Sequence, residues 1–159
     1  MKRRSFIKSI AAVSAVVATV TPAVLMAEEA KKAVPKGPNA LSVEAAIDAI
    51  TGGKGAKESD KVKLTVPEIA ENGAVVPVKV NVDYPMEEGN YVKAIHVLAA
   101  KNGNSRCVDV MLTPANGKAY FATRIKLGST QEVIGVAELS DGTFIKAAKS
   151  VKVTIGGCG

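Results

Sequence analysis

Apolar and polar residues alternate with a period of two along most of the chain after residue 60. Val62, Leu64 and Val66 alternate with Lys63 and Thr65, and Val76, Val78, Val80 and Val82 alternate with Pro77, Lys79 and Asn81. Val108, Val110 and Leu112 fall on one side of a strand, with Cys107, Asp109 and Met111 on the other. Ala119, Phe121, Thr123, Ile125 and Leu127 alternate with Lys118, Tyr120, Arg124 and Lys126, and Val151, Val153 and Ile155 alternate with Lys152 and Thr154. Two runs, Val92–Ala100 and Val133–Leu139, are almost continuously apolar. Turn signals separate these runs: Asn72-Gly73, Glu88-Gly89-Asn90, Asn102-Gly103-Asn104, Pro114-Ala115-Asn116-Gly117, Gly128-Ser129 and Asp141-Gly142. Short strands of period two with turns at this spacing predict an all-β fold, an antiparallel immunoglobulin-like β-sandwich of about seven strands. Each strand then buries one face between two sheets.

One segment has a different period. Between Leu41 and Ile50, Val43, Ala46, Ile47 and Ile50 share a helical face, Ser42 is a suitable N-cap, and Gly52-Gly53 ends the pattern. This predicts a short N-terminal helix, followed by a loop from Gly53 to Asp60. Lys31, Lys32, Pro35, Lys36, Gly37 and Pro38 mark the preceding stretch as a linker. The chain opens Met1-Lys2-Arg3-Arg4-Ser5-Phe6-Ile7-Lys8, and a mild, Ala-rich apolar run extends from Ile10 to Met26. A charged start before a short apolar run is the pattern of a signal peptide. Paired Arg3-Arg4 followed by Phe6 and Lys8 resembles a twin-arginine export signal. The expected organisation is a signal peptide at 1–27, a linker and short helix at 28–60, a sandwich domain at 61–155 and a terminal arm at 156–159. The expected location is the periplasm, reached by the twin-arginine route, with no membrane anchor after cleavage.

Removing residues 1–27 changes the charge balance. The leader carries Lys2, Arg3, Arg4 and Lys8 and no acid, which leaves 17 basic against 15 acidic residues, near +2. No concentrated basic face is visible, so nucleic acid is not expected as a partner.

The candidate chemistry lies at the carboxy-terminal end, Gly156-Gly157-Cys158-Gly159. Glycine admits most of backbone space. Four residues at their extended length would carry a thiol on the order of 13 Å beyond the last strand. A core, metal or triad cysteine needs a fixed position, whereas Cys158 sits on a tether without side chains of its own. Such a thiol is either a covalent attachment point on a movable arm formed by Gly156, Gly157 and Gly159, or one half of a disulfide. A carboxylate one residue away disfavours a thiolate, and no histidine lies nearby as a base, so activation is expected from whatever enzyme receives the arm. Cys107 follows Arg106 at the start of a strand and reads either as a packed thiol or as an interchain disulfide to a partner. His96, the sole histidine, sits in the apolar run Ile95-His96-Val97 and is expected to be structural. No metal-ligand spacing, catalytic triad or phosphate-binding loop can be assembled, so neither metal nor bound cofactor is expected. Lys146, Lys149 and Lys152 precede the arm and read either as an attraction for an anionic substrate or acidic docking surface or, as expected here, as a solvated strand face.

Several motifs together resemble the SoxY family, the sulfur-carrier subunits of SoxYZ complexes. They are Glu71-Asn72-Gly73, Val76-Pro77-Val78, Val82-Asp83-Tyr84-Pro85-Met86, Thr113-Pro114-Ala115, Thr123-Arg124-Ile125, Val136-Ala137-Glu138 with Ser140-Asp141-Gly142, and Val151 through Gly159. The terminal motif is the specific one; the family ends in two glycines after the cysteine, and this chain shows one. The resemblance implies that Cys158 carries thiosulfate-derived sulfur as a covalent adduct. It also implies a SoxZ-like subunit as obligate partner, a haem-containing enzyme that couples thiosulfate to the cysteine, and a hydrolase that releases sulfate. The chain itself would be a carrier, not an enzyme. The competing reading is a periplasmic adhesion or scaffold module whose tail cysteine makes a structural interchain disulfide.

Overall fold

The structure is a computed structural model that describes residues 39–156. The signal peptide expected at 1–27, most of the linker, and the arm residues Gly157, Cys158 and Gly159 lie outside the described residues.

The helix α1 spans Val43–Thr51. Ser42 caps it with extended backbone and a hydroxyl that accepts from Ala45 N at 3.2 Å. Such a cap satisfies one of the free N–H groups at the helix start. Gly52 ends it in the left-handed region at φ 60°, which a side chain would disfavour. Among the described residues nine strands follow: β1 (Lys57–Glu58), β2 (Val62–Thr65), β3 (Ile69–Asn72), β4 (Val76–Val82), β5 (Val92–Ala99), β6 (Arg106–Met111), β7 (Ala119–Ile125), β8 (Gln131–Leu139) and β9 (Phe144–Ile155).

The smaller sheet has the order β2-β4-β7 and the larger the order β1-β9-β8-β5-β6, with β3 also on β9. Val76, Val78, Val80 and Val82 of β4 are buried, as are Ile95 and Val97 of β5 and Val133 and Ala137 of β8, and together they form the core between the sheets. Gly135 lies in β8 facing the smaller sheet: a Cβ there would sit in ordinary contact, 3.6 Å from both Val80 methyls.

The continuous apolar runs have a second cause. On the outer face of the larger sheet, Ala46 of α1 packs with Leu98, Ile134, Val136 and Phe144, bordered by Val43, Ile47 and Ile50. β5 and β8 are therefore covered on both faces, the core on one side and α1 on the other. A strand buried on both faces has no reason to alternate.

The sandwich expected from the sequence is present, and its long pairings are antiparallel. Two short pairings differ. β1 and β3 both join β9 in parallel, β1 at Ile145 and Lys146, β3 from Lys152 to Ile155. Neither strand was expected, since two residues carry no period and β3 buries only Ala70. Residues 57–58 therefore interrupt the expected loop. β9 also begins at Phe144 rather than Val151, because the stretch over the helix face breaks its alternation.

Candidate functional site

The end of β9 is the part of the candidate arm that the structure describes. β8 starts at Gln131, opposite Val151, so Lys152–Ile155 run past the end of their antiparallel neighbour. Other groups take over the ladder there. Thr130 Oγ1 accepts from Val153 N at 2.9 Å and donates to Val153 O at 3.4 Å. On the opposite side, Thr154 Oγ1 donates to Glu71 O at 2.9 Å, and Gly73 N donates to Ile155 O at 2.7 Å. The last residues of β9 are thus held between the β3–β4 turn and the β7–β8 turn.

The two turns are themselves tied together and to a third. Leu127 N donates to Gly73 O at 2.7 Å, and the Leu127 side chain is fully buried. Asn72 Oδ1 accepts from Ala74 N at 2.8 Å, the self-bonding that favours asparagine in turns. Gln131 is 2 % exposed and works as a polar hub. Its Nε2 donates to Asn102 Oδ1 at 2.9 Å and to Ser129 O at 3.2 Å, and its Oε1 accepts from Lys101 N at 2.7 Å. Asn102 in turn accepts from Gly128 N at 3.2 Å and donates to Lys126 O at 2.8 Å. A buried amide with both donors and its acceptor engaged favours one arrangement of its neighbours. Gly128 is therefore braced by Asn102, and its carbonyl oxygen meets Gly156 so closely that a Cβ built on Gly156 would overlap it.

The structure sorts the expected site residues as follows. Gly156, expected as part of a free tether, instead lies in close backbone contact with Gly128. Cys158, Gly157 and Gly159 lie outside the described residues. Cys107 is half-buried and donates its thiol to Ser105 O at 3.6 Å. Its side of the sandwich is an open cleft between β6 and β7, where Val108, Thr123 and Arg124 are its neighbours. Burial pushes the Cys107 thiol up to about 11, against smaller opposing effects of polar groups on Asn102 and Ala99. Such a thiol is almost wholly protonated at neutral pH, which suits the packed reading of this residue.

His96 is 3 % exposed on the outer face of β5. Its Nδ1 lies 2.5 Å from Asp109 Oδ1 across the β5–β6 pair, and Arg106 Nε donates to Asp109 Oδ2 at 2.7 Å. A carboxylate only accepts, so Nδ1 carries the proton in this bond. Burial by itself raises the Asp109 pKa, but the hydrogen bonds from His96 and Arg106 outweigh it and hold the carboxyl below its usual value. Among the described residues, no group of three His, Cys, Asp or Glu side chains is placed to hold a metal ion. Lys146 lines an open groove with Glu58, Asp60 and Glu132, whereas Lys149 and Lys152 are exposed.

Nothing in the sequence marks Asn102, Gly128, Thr130 and Gln131 as parts of one site. Only the turn pairs Asn102-Gly103 and Gly128-Ser129 were visible signals, and nothing local to either shows that they meet.

The family model for "Sulfur oxidation protein SoxY" matches residues 47–158. The chain belongs to the SoxY family. Among solved structures it is similar to the sulfur carrier protein SoxY of Chlorobium limicola f thiosulfatophilum, with 29% identity and a TM-score of 0.61, over 72% of this chain and 97% of that one. It also resembles the superoxide reductase (neelaredoxin) of Ignicoccus hospitalis, with 16% identity and a TM-score of 0.56, over 62% of this chain and 94% of that one. The second likeness is one of fold alone. No curated protein sequence matches the chain. The SoxY match runs through β9 and the braced turns and extends to position 158.

Proposed function

We propose that this chain is a periplasmic sulfur carrier that bears thiosulfate-derived sulfur on Cys158 and presents it to sulfur-oxidising enzymes. The observation that carries the reading is the SoxY family match, which extends to position 158 and so includes the penultimate cysteine. The likeness to a solved sulfur carrier protein supports it. The twin-arginine pattern at Arg3-Arg4 supports export to the periplasm.

In this reading a SoxZ-like subunit completes the carrier. A haem-containing enzyme joins the Cys158 thiol to the outer sulfur of thiosulfate. The thiol proton leaves, one S–S bond forms, and two electrons pass to the haem enzyme. A hydrolase then adds water across the terminal S–S bond. Sulfate and a proton depart, and a persulfide remains on Cys158. The chain supplies the thiol and its placement, not the catalysis, and holds no cofactor beyond the covalent sulfur. The solvated lysines Lys149 and Lys152 lie on the strand that leads to the arm.

The test is the intact mass of the carboxy-terminal peptide, isolated from the native host without reductant. The expected adducts on Cys158 are one sulfur atom, roughly 32 Da, and a thiosulfate unit, roughly 112 Da; reduction separates sulfur adducts from sulfinic acid. Cys158→Ser is expected to abolish thiosulfate oxidation while leaving the fold intact. A bare thiol, or a homogeneous disulfide to another chain, would overturn the carrier reading.

A further inference from the structure

The three strands of the smaller sheet contain no acidic residue. Their side chains that stay out of the core form one outward face, and each strand places a cation on it. Lys63 of β2, Lys79 of β4 and Arg124 of β7 are all exposed there. The register sets them in a line. Lys63 pairs with Asn81, two residues from Lys79, and Lys79 pairs with Ala122, two residues from Arg124. Each step of the line is therefore a diagonal cross-strand pair, about 7–8 Å long. Lys118 and Lys126, both exposed, flank β7 at its two ends. Asp83, just after β4, reaches Lys63 at 3.6 Å, but both side chains are largely exposed and such a pair is weak. Among the described residues no acid pairs with Lys79, Lys118, Arg124 or Lys126. No run of the sequence shows this basic face; the pairing of β2, β4 and β7 assembles it.

The same face is not flat. Asn81, Asn116, Lys118 and Tyr120 line an open recess beside the line of cations. Tyr120 is 49 % exposed and lies directly across from Asn81. We propose that this outer face docks an acidic segment of a partner protein, with its carboxylates along Lys63, Lys79 and Arg124 and its peptide groups at Asn81 and Tyr120. The argument is charge complementarity. Like charges side by side with no acid between them are mildly destabilising to a sheet, and an anionic chain laid across them relieves the repulsion. The recess chooses between polyanions. The Asn81 amide and the Tyr120 hydroxyl both donate and accept. Peptide groups use both capacities, whereas the phosphate backbone of a nucleic acid only accepts. The face is polar and charged, unlike the apolar centre of an obligate interface, so the partner it suits binds reversibly. The inference does not rest on Cys158 or on the carrier reading.

The probe is short poly-L-glutamate, titrated into the ¹⁵N-labelled full chain. At about 20 mM salt the amide shifts of Lys63, Lys79, Tyr120 and Arg124 are expected to move, and at about 200 mM to return toward their free positions as screening grows. In the double variant Lys79→Glu, Arg124→Glu the affinity is expected to fall at least about tenfold, because two attractive contacts become repulsive. Both positions are exposed, so the melting temperature is expected to hold. If it drops, Lys79→Gln with Arg124→Gln gives the same reading with a smaller loss. Tyr120→Phe removes only the hydroxyl and is expected to weaken binding about threefold to fivefold, the worth of one hydrogen bond. Shifts centred instead on Lys146, Lys149 and Lys152, no binding at low salt, or an unchanged affinity in the double variant would overturn the docking face. A DNA duplex of matched charge that binds this face more tightly than poly-L-glutamate would overturn the choice of an acidic protein.

Discussion

Gln131 is the buried polar hub behind the turn that meets Gly156, and its removal has a calculable cost. The side chain is 2 % exposed and makes three hydrogen bonds, to Asn102, Ser129 and Lys101. Each is worth about 1 kcal/mol net, and a buried group left without a partner costs about 1–3 kcal/mol. In Gln131→Ala the Lys101 and Ser129 backbone groups can turn to water, because both residues are exposed. Asn102 is half-buried and loses a donor it cannot easily replace. The expected loss is therefore about 2–3 kcal/mol, a large part of the stability of a single domain. At this chain length that is a fall in melting temperature on the order of 10 °C. Gln131→Glu gives a sharper check. A carboxylate would face Asn102 Oδ1 and Ser129 O, both acceptors, so this variant is expected to be at least as unstable as the alanine at pH 7 and to recover as the acid protonates. Urea unfolding of both variants, with a double-mutant cycle against Asn102→Ala, measures these quantities. Coupling between the two sites is expected within the usual range of about 0.5–3 kcal/mol. An alanine variant within about 0.5 kcal/mol of the parent, or a glutamate variant no less stable than it at pH 7, would refute the hub.

Two further predictions concern other sites. Gly135→Ala is expected to change stability by less than about 1 kcal/mol, since its Cβ would meet Val80 and Leu64 at 3.6–3.7 Å, ordinary contact, and lose glycine's entropic penalty; urea unfolding checks it. Cys107, followed in a Cys158→Ser background, is expected to alkylate at pH 8 on the order of a hundredfold more slowly than an exposed thiol, because its pKa is pushed up to about 11; a rate equal to that of an exposed thiol would refute the packed reading. Folding favours the neutral Cys107 thiol. Its contribution is therefore complete below the unfolded thiol's pKa and is lost as pH rises toward 11, a loss that Cys107→Ala should not show in alkaline melts.

The sandwich was legible where one face of a strand is buried and the other is wet. β4 shows this most clearly, with four valines in and Pro77 and Lys79 out. The helix was legible from its caps, Ser42 and Gly52, both of which serve as expected. What pattern could not supply was the meaning of the apolar runs in β5 and β8. A fully apolar strand records that both faces are covered, not by what, and only the packing of α1 on Leu98, Val136 and Phe144 answers that. β3 was invisible for the converse reason: its pairing with β9 is made by backbone, and one buried alanine in four residues leaves no period.

The arm root shows where local reading stops. Asn72-Gly73, Asn102-Gly103 and Gly128-Ser129 each announce a turn, and each is one. Their joint role depends on contacts between residues far apart in the chain, such as Asn102 with Gly128 and Gln131, and Gly73 with Leu127, and no local pattern encodes those. Gly156 is the instructive case. A glycine before a terminal cysteine is evidence of either freedom or close approach, and the sequence is the same for both. The two differ in what a methyl group would meet. At Gly52, Gly53 and Gly89 a Cβ would meet nothing within 4 Å, and a positive φ explains the residue. At Gly156 it meets the Gly128 carbonyl. For the proposed carrier function, the close contact of Gly156 with Gly128 has an entropic consequence. Under the proposed function, freedom at Gly156 as well would give the thiol a larger volume, and a mobile residue that is ordered on binding costs about 1–2 kcal/mol of backbone entropy. Holding Gly156 against a braced turn removes that cost for one residue before any enzyme arrives.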